Sequence, residues 1–190
     1  NSINNMELPY TESERLILRS LIINDAEELF QFRTRNAEFF KPWSPTYPED
    51  YFNPDYHRKN LIQIESDVLK GILVQFGVYL KTDPKKMIGS VVFSNIIMGP
   101  FRSCYLGYRI DKDELNKGYA SEAIKAGSKY MFTDKKLHRI EANIIPRNIA
   151  SIKAIEKAGF VYEGISKKYL NINGVWEDHL HYVLLNSEIE

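Results

Sequence analysis

Between Lys70 and Ile72 the spacing of apolar residues changes, and that change constrains the fold more than any other feature of the chain. Before it, Leu61, Ile64, Val68 and Leu69 recur at helical spacing and predict a helix over 55–70. After it, 72–80 and 87–96 are rich in β-branched residues, with Asp83-Pro84-Lys85-Lys86 as the turn between two strands. A chain that carries both periods side by side must pack helices against a sheet.

The same reading extends outward. Residues 15–19 alternate like a short strand, and Asn24 and Asp25 offer caps to a helix ending near Arg35, with Ala26, Leu29, Phe30 and Phe32 near helical spacing. The segment 41–54, with Pro42, Trp43, Pro45, Pro48 and Pro54, reads as an irregular loop. A strand at 103–110, reached through Gly99-Pro100, is followed by a helix over 118–133, a strand over 139–145 and a helix over 148–158. Two last strands flank Asn173-Gly174, the strongest short hairpin signal. The expected class is α/β (α+β): about seven strands in one mixed, mostly antiparallel sheet flanked by helices, with 1–190 as a single domain. That architecture specifies no function.

Composition excludes some classes. Twenty-five basic residues balance twenty-five acidic ones, so no net field draws the chain to nucleic acid or to an anionic membrane. No apolar stretch approaches the roughly 18 residues that span a bilayer. The start, 1–7, lacks the layout of a signal peptide, and Met6 reads as a natural start preceded by an added remnant. Cys104 is the single cysteine, so no intrachain disulfide can form, and a cytoplasmic location is expected. Its apolar surroundings, Cys104-Tyr105-Leu106-Gly107-Tyr108, make it a small core hydrophobe in preference to a nucleophile.

The chemistry concentrates where the 103–110 strand ends. A polar turn follows, and a helix opens at Gly118. The free N–H groups of a helix's first turn and its macrodipole bind anions without basic side chains. Gly118 admits a phosphate closely and Ala120 keeps the wall low. Lys117 precedes the glycine, so the segment is not a P-loop, and no dinucleotide fingerprint is present.

The segment 115–120 resembles the acyl-CoA loop of the GNAT acetyltransferase superfamily, Gln/Arg-x-x-Gly-x-Gly/Ala. Thirty residues on, Asn148-x-x-Ser151 followed by Gly159-Phe160 resembles the next motif of that superfamily, Asn-x-x-(Ala/Ser)…Gly-Phe. Further stretches narrow the likeness: Phe40-Lys41-Pro42-Trp43, Phe93-Ser94-Asn95, the Cys104–Tyr108 run, His138-Arg139-Ile140 and Gly174-Val175-Trp176-Glu177-Asp178-His179. Together they resemble the RimJ/RimL-type ribosomal-protein N-terminal acetyltransferases, RimJ especially, over about 15–185.

The resemblance implies a bent GNAT sheet, splayed between its fourth and fifth strands, with acetyl-CoA as co-substrate in the split and no metal. It implies that the amides of Leu115, Asn116, Lys117, Gly118, Tyr119 and Ala120, with Ser121 beside them, hold the pyrophosphate. Backbone groups of Tyr108, Arg109 and Ile110 would pair with the pantetheine arm, and Asn148 would hydrogen-bond the cofactor. Ser151 falls where a hydroxyl can stand near the thioester sulfur. Trp43, Asn95, Tyr169 and Trp176 are the acceptor-side candidates.

Three departures matter. The superfamily's Gln/Arg is Leu115, its frequent general-acid tyrosine is Ile155, and the glutamate base of one relative is Asn143. The implied reaction is direct attack by a neutral amine on the thioester carbonyl, with backbone donors near Ile110 polarising it and Ser151 protonating the departing thiolate. Glu141, on the same strand face as Asn143, is the remaining candidate to help through a water. Lacking a strong base, the site suits an α-amine, and the implied partner is a protein N-terminus, such as that of a ribosomal protein beginning with alanine. A small amine, an aminoglycoside or polyamine, is the alternative acceptor; a CoA-binding module without catalysis is the alternative class. His138, His179 and His181 lack the spacing of a metal site and read as structural or acceptor-contact residues.

Overall fold

A computed structural model describes residues 7–190; the expected start at Met6 lies outside the described residues. Eight strands form one sheet in the order β1-β2-β3-β4-β5-β6-β8-β7. They are β1 (Tyr10–Glu12), β2 (Leu16–Ser20), β3 (Val74–Leu80), β4 (Asp83–Ile97), β5 (Ser103–Ile110), β6 (Arg139–Ile144), β7 (Val161–Ile172) and β8 (Val175–Leu185). Helices α1 (Ala26–Arg35), α2 (Ala37–Phe40) and α3 (Pro54–Leu69) come between β2 and β3; α4 (Tyr119–Thr133) joins β5 to β6, and α5 (Ile149–Lys157) follows β6. The strand beyond the seven expected is β1, an edge segment of three residues, too short to show a period.

The turn between β3 and β4 sits earlier than its sequence implied. Leu80 pairs with Asp83, so Lys81 and Thr82 form the turn, and Asp83 to Lys86 run on as exposed strand. The register slips between Val78 and Leu80, and this irregularity accommodates Pro84, which has no N–H to give a ladder.

Both faces of the sheet are covered. On one, Leu16, Leu18, Phe76, Val78, Ile88, Val91 and Phe93 pack with Ala123, Ile124 and Met131 of α4 and Ile155 of α5. On the other, Tyr79 and Met87 meet Leu29 and Phe32 of α1 and Leu61, Ile64 and Val68 of α3. Coverage on both sides is why β3 buries every residue from Val74 to Tyr79, Gln75 included.

All neighbouring strands are antiparallel except β5 and β6, whose parallel pairing runs only from Ser103↔Arg139 to Leu106↔Ala142. Beyond that point β5 stays with β4 through Ile110↔Gly89, and β6 stays with β8 through Ile144↔Leu180. Each strand follows its antiparallel partner, so the sheet parts between them. The split falls between the fourth and fifth of the expected strands, as the resemblance implied.

Candidate active site

The split opens into a cavity of about 720 Å³. One wall is β5 from Leu106 to Ile110; the other is β6 from Ala142 to Ile144 with Asn148, Ser151 and Ala154 beside it. The loop from Glu114 to Ser121 lines it, and so do Phe39, Phe40, Trp43 and Ser44.

The loop after β5 is anchored from below. Asp111, 1% exposed, accepts 2.7 Å from Arg35 Nε and 3.0 Å from the Asp113 amide. Arg35 also reaches the Met87 carbonyl at 2.6 Å, and Asn36 Oδ1 takes the Lys112 amide at 3.0 Å. Burial pushes the Asp111 carboxyl up, but the Asp113 amide and Arg35 outweigh it and hold the carboxyl below its usual value. Two residues with positive φ, Asn116 (61°) and Gly118 (81°), curl the chain into α4. Gly118 has no side chain to cap the helix, so the first-turn amides are left without a side-chain partner there. Beside them lies a second basin of about 440 Å³, lined by Arg15, Lys117, Ser121, Glu122, Lys125 and Lys157. Arg15 pairs with Glu122 and Lys117 with Glu114 at 2.8 Å each. Lys125, Lys157 and Arg15 went unnoticed in sequence; helix spacing could have flagged Lys125, but nothing local marks the other two.

Across the split, the Tyr108 hydroxyl lies 2.5 Å from Ser151 Oγ and donates to the Ser151 carbonyl at 2.9 Å. Burial, partly offset by the Ser151 contact, pushes the phenol up to about 12. Only the backbone of Tyr108 is marked by the sequence; its hydroxyl stands 43 positions from Ser151, and no local signal links them. Asn148 Oδ1 accepts the Ser151 amide at 3.3 Å, so this oxygen caps α5. Ile155 is fully buried in the core, away from any proton-transfer role.

Asn143 lines the cavity, and its Oδ1 accepts 2.5 Å from His181 Nδ1. Ser166 Oγ stands 2.6 Å from His181 Nε2 and donates to it. Glu141 Oε2, 3.7 Å from Nδ1, favours the proton on that nitrogen. The Asn143 amide is thereby oriented with its NH2 as the remaining group. Glu141 is not part of the cavity lining; it pairs with Arg139 at 2.9 Å, and Arg139 pairs with Glu163 as well.

Tyr108, Arg109, Ile110, Leu115, Asn116, Gly118, Tyr119, Ala120, Ser121, Asn148 and Ser151 are brought together around the cavity, whereas Lys117 lines only the adjoining basin. Among the acceptor-side candidates Trp43 lines the cavity, with the Arg147 guanidinium 4.8 Å over its ring. Tyr169 packs 5.5 and 5.2 Å from His179 and His181, one layer away. Asn95 is exposed at an irregularity of β4 (φ 53°), and Trp176 is 59% exposed near the β7–β8 turn; neither lines the cavity.

Residues 41–44, of which Trp43 and Ser44 line the cavity, are held from three directions. Arg147 donates to the Pro42 carbonyl at 3.0 Å, Asn173 to the Lys41 carbonyl at 2.6 Å and Arg109 to Ser44 Oγ at 2.7 Å. Cys104 is buried, and its thiol is pushed up to about 12 by burial, which leaves it protonated and inert. His138 meets Glu190 at 3.0 Å, and His179 the Glu177 carbonyl. Among the described residues no group of three His, Cys, Asp or Glu side chains could hold a metal, and no helix is long and apolar enough to cross a membrane.

Comparison with known proteins adds to this geometry. Residues 15–161 match the family model described as an Acetyltransferase (GNAT) domain. The chain is 36% identical over 179 residues to the Probable N-acetyltransferase YjcK of Bacillus subtilis (strain 168), covering 94% of this chain and 98% of that protein. It is 36% identical over 168 residues to the [Ribosomal protein uS5]-alanine N-acetyltransferase of Escherichia coli (strain K12), covering 88% and 86%. Among solved structures, the ribosomal-protein-S5-alanine acetyltransferase of Vibrio fischeri superposes with a TM-score of 0.89 at 34% identity, over 96% of this chain and 99% of that one.

Proposed function

The chain belongs to the GNAT acetyltransferases, and from that premise we propose that it acetylates the α-amine of a protein N-terminus. Acetyl-CoA is the donor, and the whole chain acts as one catalytic domain. The acceptor this reading favours is a ribosomal protein beginning with alanine in the cytoplasm, in keeping with the activity for which the Escherichia coli and Vibrio fischeri relatives are named.

The observation that carries the reading is the lack of a free carboxylate base beside Asn143; the imidazole that does line the cavity, His179, is engaged through Nδ1 by the Glu177 carbonyl. Asn143 stands where a glutamate would serve, its oxygen is taken by His181, and Glu141 is paired with Arg139. An α-amine with a pKa of about 8 reaches its neutral form at pH 7 for roughly 1.4 kcal/mol. A lysine near 10.4 needs about 4.6 kcal/mol, which calls for a base. The split leads from the Gly118 amides past Ser151 to Trp43, so thioester and amine meet in one channel. Backbone N–H groups on the free edge of β5 polarise the carbonyl as charge develops on oxygen. Ser151 hydrogen-bonds the leaving sulfur once Tyr108 turns its proton from the Ser151 carbonyl to Ser151 Oγ. The hydroxyl that Ile155 lacks is thus supplied from β5.

Thiol release from acetyl-CoA, measured with alanine- and serine-initial peptides, Nα-blocked lysine peptides, polyamines and aminoglycosides, tests the reading. The expected result is a kcat/KM at least about a hundredfold higher on free N-termini, the order implied by that difference in deprotonation cost. Comparable values on blocked lysine peptides would overturn it. A cationic small amine would call for acidic residues at the cavity, and Glu49 and Asp50 of the 41–54 segment do not line it.

A further inference from the structure

The acceptor side of the cavity has unpaired positive charge. The chain has nine arginines. Six of them, Arg15, Arg19, Arg35, Arg58, Arg139 and Arg147, pair with carboxylates. Among the described residues Arg33, Arg102 and Arg109 have no carboxylate within reach, and of these Arg102 is exposed to solvent whereas Arg33 and Arg109 are half-buried.

The groups in contact with the half-buried pair carry no negative charge; the carboxylate felt nearby is Asp50, which acts on His57 and pairs with neither guanidinium. Arg109 donates to Ser44 Oγ and lies 5.0 Å over the Phe40 ring. Arg33 donates to Asn60 Oδ1 at 2.7 Å and to His57 Nδ1 at 3.2 Å. His57 accepts at Nδ1 and gives its one ring N–H, on Nε2, to the Tyr51 carbonyl, so it is neutral in this arrangement. Burial lowers the pKa of Arg33, and Arg109 lowers it further, so the two cations repel. Both act on Tyr51, whose hydroxyl is buried without a hydrogen-bond partner. Guanidinium groups that lose the rest of their exposure, as they would under a bound acceptor, almost always gain a counter-charge, and a buried hydroxyl ordinarily has a partner.

The side of the sheet decides whose anion fits. Tyr108 faces Ser151 of α5, and Arg109, the next residue of the strand, faces Phe40 and Ser44. The amides before α4 serve the cofactor's phosphates; Arg109 lines the cavity beside Trp43, on the acceptor side.

We propose that Arg109, reinforced by Arg33, pairs with a carboxylate carried by the acceptor a short way behind its α-amine. This rests on the α-amine reading and narrows it to acidic acceptors. Two sources offer that chemistry: an Asp or Glu side chain near the N-terminus of a protein, or the terminal carboxylate of a free amino acid or dipeptide.

The test uses the wild-type chain, acetyl-CoA and alanine-initial decapeptide amides that differ only in Glu or Gln at one of positions two to five. At the best position the Glu peptide is expected to have a kcat/KM about tenfold higher, mostly through KM, as suits one charge-assisted pair. The advantage shrinks with added salt, and in Arg109→Gln the Glu-to-Gln ratio falls to about one. Equal use of Glu and Gln peptides at every position, with free alanine and dipeptides no better, would overturn the inference and leave the α-amine reading intact. Free alanine or an alanine dipeptide used better than its amide, with that preference lost in Arg109→Gln, would support the pairing with a terminal carboxylate as its source. Failure of every amine to react while coenzyme A still binds would overturn both.

Discussion

Ser151 and Tyr108 form a two-hydroxyl unit whose protons can be arranged in two ways: toward the Ser151 carbonyl in the resting site, or toward a sulfur in the loaded one. Ser151→Ala is expected to lower kcat by about a hundredfold, and Tyr108→Phe by about tenfold, with KM for acetyl-CoA changed little. Steady-state kinetics on an alanine-initial peptide checks this, and an unchanged kcat in both variants would remove the unit from the reaction. Asn143 belongs to the same scale. With its oxygen fixed by His181, its NH2 is placed to receive a carbonyl of the acceptor peptide. Asn143→Ala is therefore expected to raise the peptide KM about tenfold while leaving the acetyl-CoA KM in place, the loss of one hydrogen bond to a buried group. Ser151 was legible in sequence through its motif, and Asn143 through its departure from one. The hydroxyl of Tyr108 and the imidazole of His181 were not, because their partners lie 43 and 38 positions away.

At the scale of elements, the strand–turn–helix from β5 to α4 reads from the chain almost directly. Gly118 sits at φ 81°, a left-handed conformation that suits glycine, and a Cβ there would come within 3.3 Å of the Arg15 guanidinium. Gly118→Ala is expected to cost about 1–2 kcal/mol of stability from backbone strain. If the amides beside Gly118 hold the pyrophosphate as proposed, it should also weaken coenzyme A binding, because the added methyl crowds the Arg15 and Lys157 side chains there. Thermal denaturation and calorimetric titration read the two effects separately. The β3–β4 hairpin shows the opposite case. Pro84 and the lysines after it carry every mark of a turn, yet strand pairing placed the turn at Lys81-Thr82 and tolerated the proline at an irregular edge. Turn propensity is a weak local preference, and the register of two buried strands outweighs it.

At the scale of the molecule, the Arg35–Asp111 pair ties the α1 side of the sheet to the loop before α4, which opens on the other side. The folded state holds the Asp111 carboxyl below its usual value, so the pair stabilises fully above the ordinary carboxylate range of about 4. That contribution is lost as pH falls through the lowered folded-state value. Urea midpoints measured from pH 7 down to pH 3 should fall steeply in the wild type and less in Asp111→Asn. At pH 7 that variant should be destabilised by about 3 kcal/mol, because Arg35 loses its counter-charge in a largely buried place. A wild-type midpoint flat across this range would rule the pair out as a source of acid sensitivity.

The sequence by itself determined most of the elements, the mixed sheet, and the helix start at Gly118 with the motif that follows it, because periodicity and glycine placement are local properties of the backbone. Tertiary structure alone decided where the sheet parts, which hydroxyl faces Ser151, and that Arg33 and Arg109 come near each other with neither paired to a carboxylate. The physical reason is that each of these depends on groups far apart in the chain, brought together only when both faces of the sheet are buried and β5 and β6 follow different partners.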